Sequence, residues 1–124
     1  MTLTSGVIEM CKEKLITEKE TLLNQYQADR HNFQGRDVGK DEADLSVQVL
    51  EEHQFLAAQR RLRHQLLEIE TALARIAAGT YGICEETEEP IEVERLLALP
   101  ATRLSIEGAE IREQLQKRFA STIG

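Results

Sequence analysis

Along the first quarter of the chain the apolar residues Ile8, Cys11, Leu15, Leu22 and Tyr26 recur at spacings of three, four and seven, with charged and amide side chains between them. That period is helical and predicts a helix from about Gly6 to Phe33. The stripe is thin, and Glu18 and Lys19 interrupt it, so the helix needs a second one to lie against. Gly35-Arg36-Asp37-Val38-Gly39-Lys40 follows; two glycines among polar neighbours stop a helix and permit a tight reversal. A second stripe then runs from about Asp41 to Ala78 through Leu45, Val49, Leu56, Leu62, Leu66, Ile69, Leu73 and Ile76. At the α-helical rise this span is about 55 Å long. Two long helices joined by a short glycine-containing turn make an antiparallel helical-hairpin coiled coil. It is expected over residues 1–79, with its tip near 35–46.

Residues 80–124 differ in kind. Gly79-Thr80-Tyr81-Gly82 ends the second helix, and Ile83 to Leu104 is turn-rich, with Pro90, Pro100 and six glutamates between Glu85 and Glu94. A short helix is expected around Glu92–Leu97. Ser105 is placed to cap a terminal helix carrying Ile106, Ile111, Leu115 and Phe119. This part is too small for a core of its own, so it is expected to pack on the base of the hairpin.

Composition sharpens the class. The chain has 124 residues, 41% of them hydrophobic and 30% charged, with no tryptophan and only two prolines, which suits a mostly α protein of one modest domain. The net charge of −7 speaks against phosphate-driven nucleic-acid binding, because that needs basic patches to release counterions. Residues 1–34, 35–80 and 81–124 carry −1, −2 and −4 respectively, so no region is a basic arm. No apolar run is long enough to cross a bilayer, no export segment is recognised, and a cytoplasmic monomer is expected. His31, His53 and His64 are spread along the hairpin without a partner nucleophile, and no phosphate loop or HExxH pattern occurs. The chain is therefore not expected to be an enzyme. Cys11 and Cys84, far apart in sequence, make neither a disulfide framework nor a zinc site by themselves.

The densest motif is Gly79-Thr-Tyr-Gly-Ile-Cys84-Glu-Glu-Thr87-Glu-Glu-Pro90-Ile91, followed by Arg95-Leu-Leu-Ala-Leu-Pro100-Ala-Thr-Arg-Leu-Ser105-Ile-Glu-Gly108. It resembles the C-terminal finger of the DksA/TraR family of bacterial transcription factors. There a G-x-Y-G-x-C-x-x-C-G-x-x-I segment precedes a second C-x-x-C. The ligand spacing is kept, on Cys84, Thr87, Ser105 and Gly108, but one thiol remains. A lone thiol cannot hold zinc, which takes four ligands in a structural site, so a zinc-independent, degenerate finger is expected. Its flanking glutamates are expected to raise the Cys84 pKa. Asp41-Glu42-Ala43-Asp44-Leu45-Ser46 is similar to the family's Asp-x-x-Asp-x-Ala hairpin tip, with Ser46 in place of the alanine.

The resemblance implies a factor that binds bacterial RNA polymerase and not DNA. Its hairpin enters the secondary channel, with Asp41, Asp44 and Ser46 near the active site and Arg61 docking on the channel rim. Read alone, Asp41 and Asp44 are first-turn acids that stabilise any helix by about 0.5–2 kcal/mol, and Arg60, Arg61 and Arg63 are a solvated helix face. The family's basic residues for guanosine tetraphosphate correspond to Glu68, Leu99 and Ala109, so reduced dependence on that alarmone is expected unless Arg103 substitutes. Two other classes fit less well. A hairpin chaperone or adaptor should expose apolar residues at its tip, whereas Gly35 to Asp44 is polar and acidic; a transcript-cleavage factor would need a β-rich C-terminal domain.

Overall fold

The computed structural model describes residues 3–34 and 45–123, with side chains as far as residue 120. The predicted reversal and the tip residues Asp41 and Asp44 lie outside the described residues. Four helices are described: α1, Ser5–Gln34; α2, Leu45–Ala78; α3, Val93–Ala98; and α4, Ile106–Ile123. The fold is mostly α, as expected. The chain divides into two compact units, residues 17–67 and residues 1–16 with 68–124, so α1 and α2 contribute to both.

In the 17–67 unit the two long helices pair antiparallel. Phe33 stacks on Phe55 with ring centroids 4.1 Å apart, and Gln59 donates to the Tyr26 carbonyl at 3.5 Å. Leu22, Tyr26, Phe33, Phe55, Leu62 and Leu66 are half-buried, and Gln59 is buried. The contact positions on α2 therefore alternate by four and three residues through 55, 59, 62 and 66, a heptad seam. Here the expected stripe needs correction, because Val49 and Leu56 are 47% and 44% exposed. Gln59 occupies a seam position that hydrophobicity alone does not mark. Its single long hydrogen bond does little to offset burial of an amide, whereas a leucine would fill the seam with apolar surface. Gln59→Leu is accordingly expected to raise Tm, stabilising by about 1 kcal/mol, in a circular-dichroism melt. An unchanged or lower Tm would refute the seam register.

The other unit holds the core: Cys11, Leu15, Ile69, Ala72, Tyr81, Cys84, Ile91 and Leu96. Each fully buried leucine or isoleucine here is worth about 1.5–3 kcal/mol. α2 stops because Gly79 adopts a positive φ of 77°. The Thr80 amide then reaches the Arg75 carbonyl at 2.9 Å, and the Gly79 amide reaches Ile76 at 3.2 Å, a Schellman cap. α3 ends against α1, whose side chains meet its last carbonyls: Cys11 Sγ donates to Leu96 and Lys14 Nζ to Leu97, at 3.6 and 2.8 Å. Gly82, with φ at 88°, lies under Leu3; a Cβ there would stand 2.9 Å from Leu3 Cδ2. Among the described residues no helix is long and apolar enough to cross a membrane.

α4 departs from expectation. Ile106, Ile111, Leu115 and Phe119 are 52%, 37%, 50% and 68% exposed, so they do not form a buried face. The side that meets the rest of the unit carries Gly108, which is buried, and Arg112, which pairs with Glu86 at 3.0 Å. A polar anchor and a glycine set the helix's orientation, and neither shows in an apolar pattern.

Candidate functional site

The finger is a tight backbone loop. Ile83 and Pro90 form an isolated antiparallel bridge. Cys84 N–H donates to the Glu89 carbonyl, Glu88 N–H to Cys84, and Ile91 N–H to Gly82, at 2.8, 2.9 and 2.7 Å. Glu88 takes a left-handed φ of 62°, strained for a residue with a Cβ. Glu85 N–H donates to the Arg103 carbonyl at 2.9 Å, joining the loop to the segment before α4.

The loop and α4 bring Cys84, Ser105 and Gly108 together. Ser105 Oγ donates to Cys84 Sγ at 3.4 Å and accepts from the Gly108 amide at 3.0 Å. Ser105 is thus the N-cap of α4 as well as a partner of the thiol. The Gly108 amide lies at the third helical position, where a Cβ would overlap the Cys84 sulfur. Thr87 Oγ1 accepts from the Glu89 amide at 3.3 Å. Glu92 reinforces the α4 start, its carboxylate accepting from the Ile106 amide at 3.0 Å, as suits an anion at a helix N-terminus.

Cys84 is 1% exposed. Burial pushes its thiol up, but hydrogen bonds from the Ser105 and Thr87 side chains and from their backbone outweigh it and hold the group at about 6. The flanking glutamates do not raise it as expected. Glu85 faces Arg75, Arg103 and Arg112, and Glu86 faces Arg112, so their charges are neutralised locally. A thiol lowered from its ordinary 9.0 stabilises the fold in full above that value and loses this contribution as pH falls through the folded value. Stability should therefore climb by about 2 kcal/mol between about pH 6 and about pH 8. Urea melts across that window should show the rise in the native chain and a flat profile in Cys84→Ala; parallel profiles would contradict it. Tyr81, whose hydroxyl donates to the Pro100 carbonyl at 2.8 Å, is raised by burial and by neighbouring Cys11.

Of the other expected site residues, Ser46 is exposed near the start of α2, and Arg61 is exposed in its middle. Arg61 borders a shallow hollow of about 500 Å³ with Ala57, Arg60, His64 and Gln65. Arg60, Arg61 and Arg63 make no ion pair among the described residues. Arg75, Arg95, Arg103 and Arg112 of the other unit, by contrast, are all bonded within it. Glu68 pairs with Arg103 at 2.9 Å. Arg103 is thereby engaged internally.

A family model described as the prokaryotic dksA/traR C4-type zinc finger matches residues 79–114. The RNA polymerase-binding transcription factor DksA of Caulobacter vibrioides is 32% identical over 111 residues, which cover 89% of this chain and 78% of that one. The chain belongs to the DksA/TraR family. An uncharacterized Aquifex aeolicus protein is likewise 32% identical, across 95% of this chain and 84% of its own length. The structure of transcription factor DksA2 from Pseudomonas aeruginosa matches with a TM-score of 0.82 at 29% identity, covering 91% of this chain and 88% of that one.

The DksA/TraR finger is of the C4 type, yet the residues here do not fit its zinc. The four ligand positions offer one thiol, two neutral hydroxyls already in hydrogen bonds, and a glycine whose missing side chain is what makes room for the sulfur. Structural zinc needs four nitrogen, sulfur or carboxylate donors. Among the described residues no group of three or more His, Cys, Asp or Glu could hold a metal.

Proposed function

We propose that this chain is a transcription regulator that binds bacterial RNA polymerase through the secondary channel and modulates promoter-complex stability without binding DNA and without a structural zinc. The observation that carries this reading is coverage: similarity to an RNA polymerase-binding factor runs through both the hairpin and the finger. Two features support it. In a chain of net charge −7 the exposed Arg60, Arg61 and Arg63 of α2 make no ion pair among the described residues, which suits docking on a protein surface. The tip sequence Asp41 to Ser46 resembles the family's channel-entering motif. Glu68, Leu99 and Ala109 stand where the family carries bases for guanosine tetraphosphate, and the pairing of Arg103 with Glu68 leaves it poorly placed to substitute. Dependence on the alarmone is therefore reduced.

The test is binding to purified RNA polymerase core, competed by a known secondary-channel factor. Competitive binding supports the reading, and binding that survives the competitor, or none, defeats it. Metal analysis of the purified chain accompanies it; a stoichiometric zinc ion would refute the metal-free finger. A second reading, a hairpin adaptor that clasps apolar partners, draws on Leu45, Val47, Val49 and Leu50, which are 63%, 51%, 47% and 58% exposed at the start of α2. Such an adaptor would bind without reference to the channel.

A further inference from the structure

In a metal finger the knuckle is closed by its ligands, and the two residues between the first pair of ligands are spacers. Here those two residues, Glu85 and Glu86, are both held by arginines. The Glu85 carboxylate accepts from Arg75 of α2 and has Arg103 at 3.7 Å and Arg112 of α4 at 3.8 Å. Glu86 accepts from Arg112 through Nε and Nη2, at 3.3 and 3.0 Å. Arg103 also contacts Glu68 of α2 at 2.9 Å and donates to Thr71 Oγ1 at 3.3 Å. Three guanidinium groups and three carboxylates thus balance in charge and tie the knuckle to α2, to the segment before α4, and to α4 itself. The Glu85 side chain is 26% exposed, so these pairs are partly desolvated and screened less than surface pairs.

We infer that Glu85 is an ionic crosslink that holds the finger closed, taking the role a metal has in a C4 member, an inference that rests on the metal-free reading above. The chemistry is suited to the role. Arginine presents a rigid fork of donors, and a carboxylate meeting guanidinium groups from three directions orients elements that share no covalent bond. Hydrogen bonds to charged groups are also about twice as strong as neutral ones. Loss of the crosslink should open the knuckle locally and expose the buried Cys84 sulfur, as sub-global opening exposes protected groups in other folds.

The test uses the full chain and a maleimide, with labelling of each cysteine followed by peptide mass spectrometry. Cys11, also fully buried in this unit, is the internal reference. Glu85→Gln keeps shape and hydrogen-bonding capacity but removes the charge; it should label Cys84 faster by about tenfold or more while Cys11 changes less than about twofold. Glu94→Gln, at an exposed position on α3, should leave both rates unchanged. A wild-type rate for Cys84 in Glu85→Gln, or an equal rise at both cysteines, overturns the crosslink. Should Glu85→Gln fail to fold, Arg112→Gln, which removes only the α4 arm, carries the same expectations. A chelator arm separates the two readings: faster labelling of the native chain with chelator overturns the metal-free finger, whatever Glu85→Gln does.

Discussion

Asp44→Asn should abolish the effect on transcription while leaving polymerase affinity and helix content nearly intact. Affinity, on the proposed reading, comes from the length of the hairpin and from the exposed arginines in the middle of α2, with Arg61 foremost. The tip carboxylate acts at the far end, where the charge matters more than the contact area. Asparagine matches aspartate in size, so its cost to stability is under about 1 kcal/mol even if the acid also favours a helix start. Arg61→Ala should do the opposite: affinity falls first, and full regulation returns at high protein concentration. Removing one unscreened charge contact from a protein interface is typically felt in binding, by about 1–3 kcal/mol. Side-by-side binding curves and in vitro transcription read the split. If Asp44→Asn lowers only Tm and transcription is unchanged, the aspartate is a helix cap and the tip assignment falls.

A second large effect is expected at Gly108. Its Cβ would overlap the sulfur of Cys84, which is 1% exposed and held by Ser105 at 3.4 Å. The sulfur has no room to move aside. Gly108→Ala should therefore destabilise the chain by about 3 kcal/mol, the upper range for forcing a methyl into a packed site, even though alanine is the better helix former by about 1 kcal/mol. In a Cys84→Ala background the sulfur is gone and only Glu86 Cβ and Ser105 Oγ remain, each 3.3 Å from the new Cβ, so most of the loss should disappear. A loss that largely vanishes in the Cys84→Ala background, read from urea midpoints, is the expected result. Additive losses would mean that Gly108 is needed for a reason other than the sulfur.

The helices were legible because their signals are local. The apolar positions of α1 from Ile8 to Tyr26 match its buried side, and Gly79 stops α2 with the cap its position suggests. Ser105 caps α4 as expected. The losses came where a polar residue sits in an apolar role or where charge is balanced at a distance. Phe55 and Gln59, not Leu56, hold the heptad seam. Around the finger Ile91 and Leu96 are buried, but Ile83 and Ile106 are 43% and 52% exposed. The lowered Cys84 pKa could not be anticipated from neighbouring glutamates, because the arginines that neutralise them come from α2, the pre-α4 segment and α4. The hydroxyl of Ser105, the main hydrogen-bonding cause of the shift, arrives 21 positions later in the chain.

Leu3 covering Gly82 makes the finger sensitive to events at the opposite end of the chain. The leucine's Cδ2 fills the space a side chain at Gly82 would need, and Leu96 Cδ1 lies on the same glycine, 3.5 Å from where that Cβ would be. Cutting the leucine back to alanine would uncover that space. Chains that differ only at Leu3 should then differ in how firmly the finger is seated.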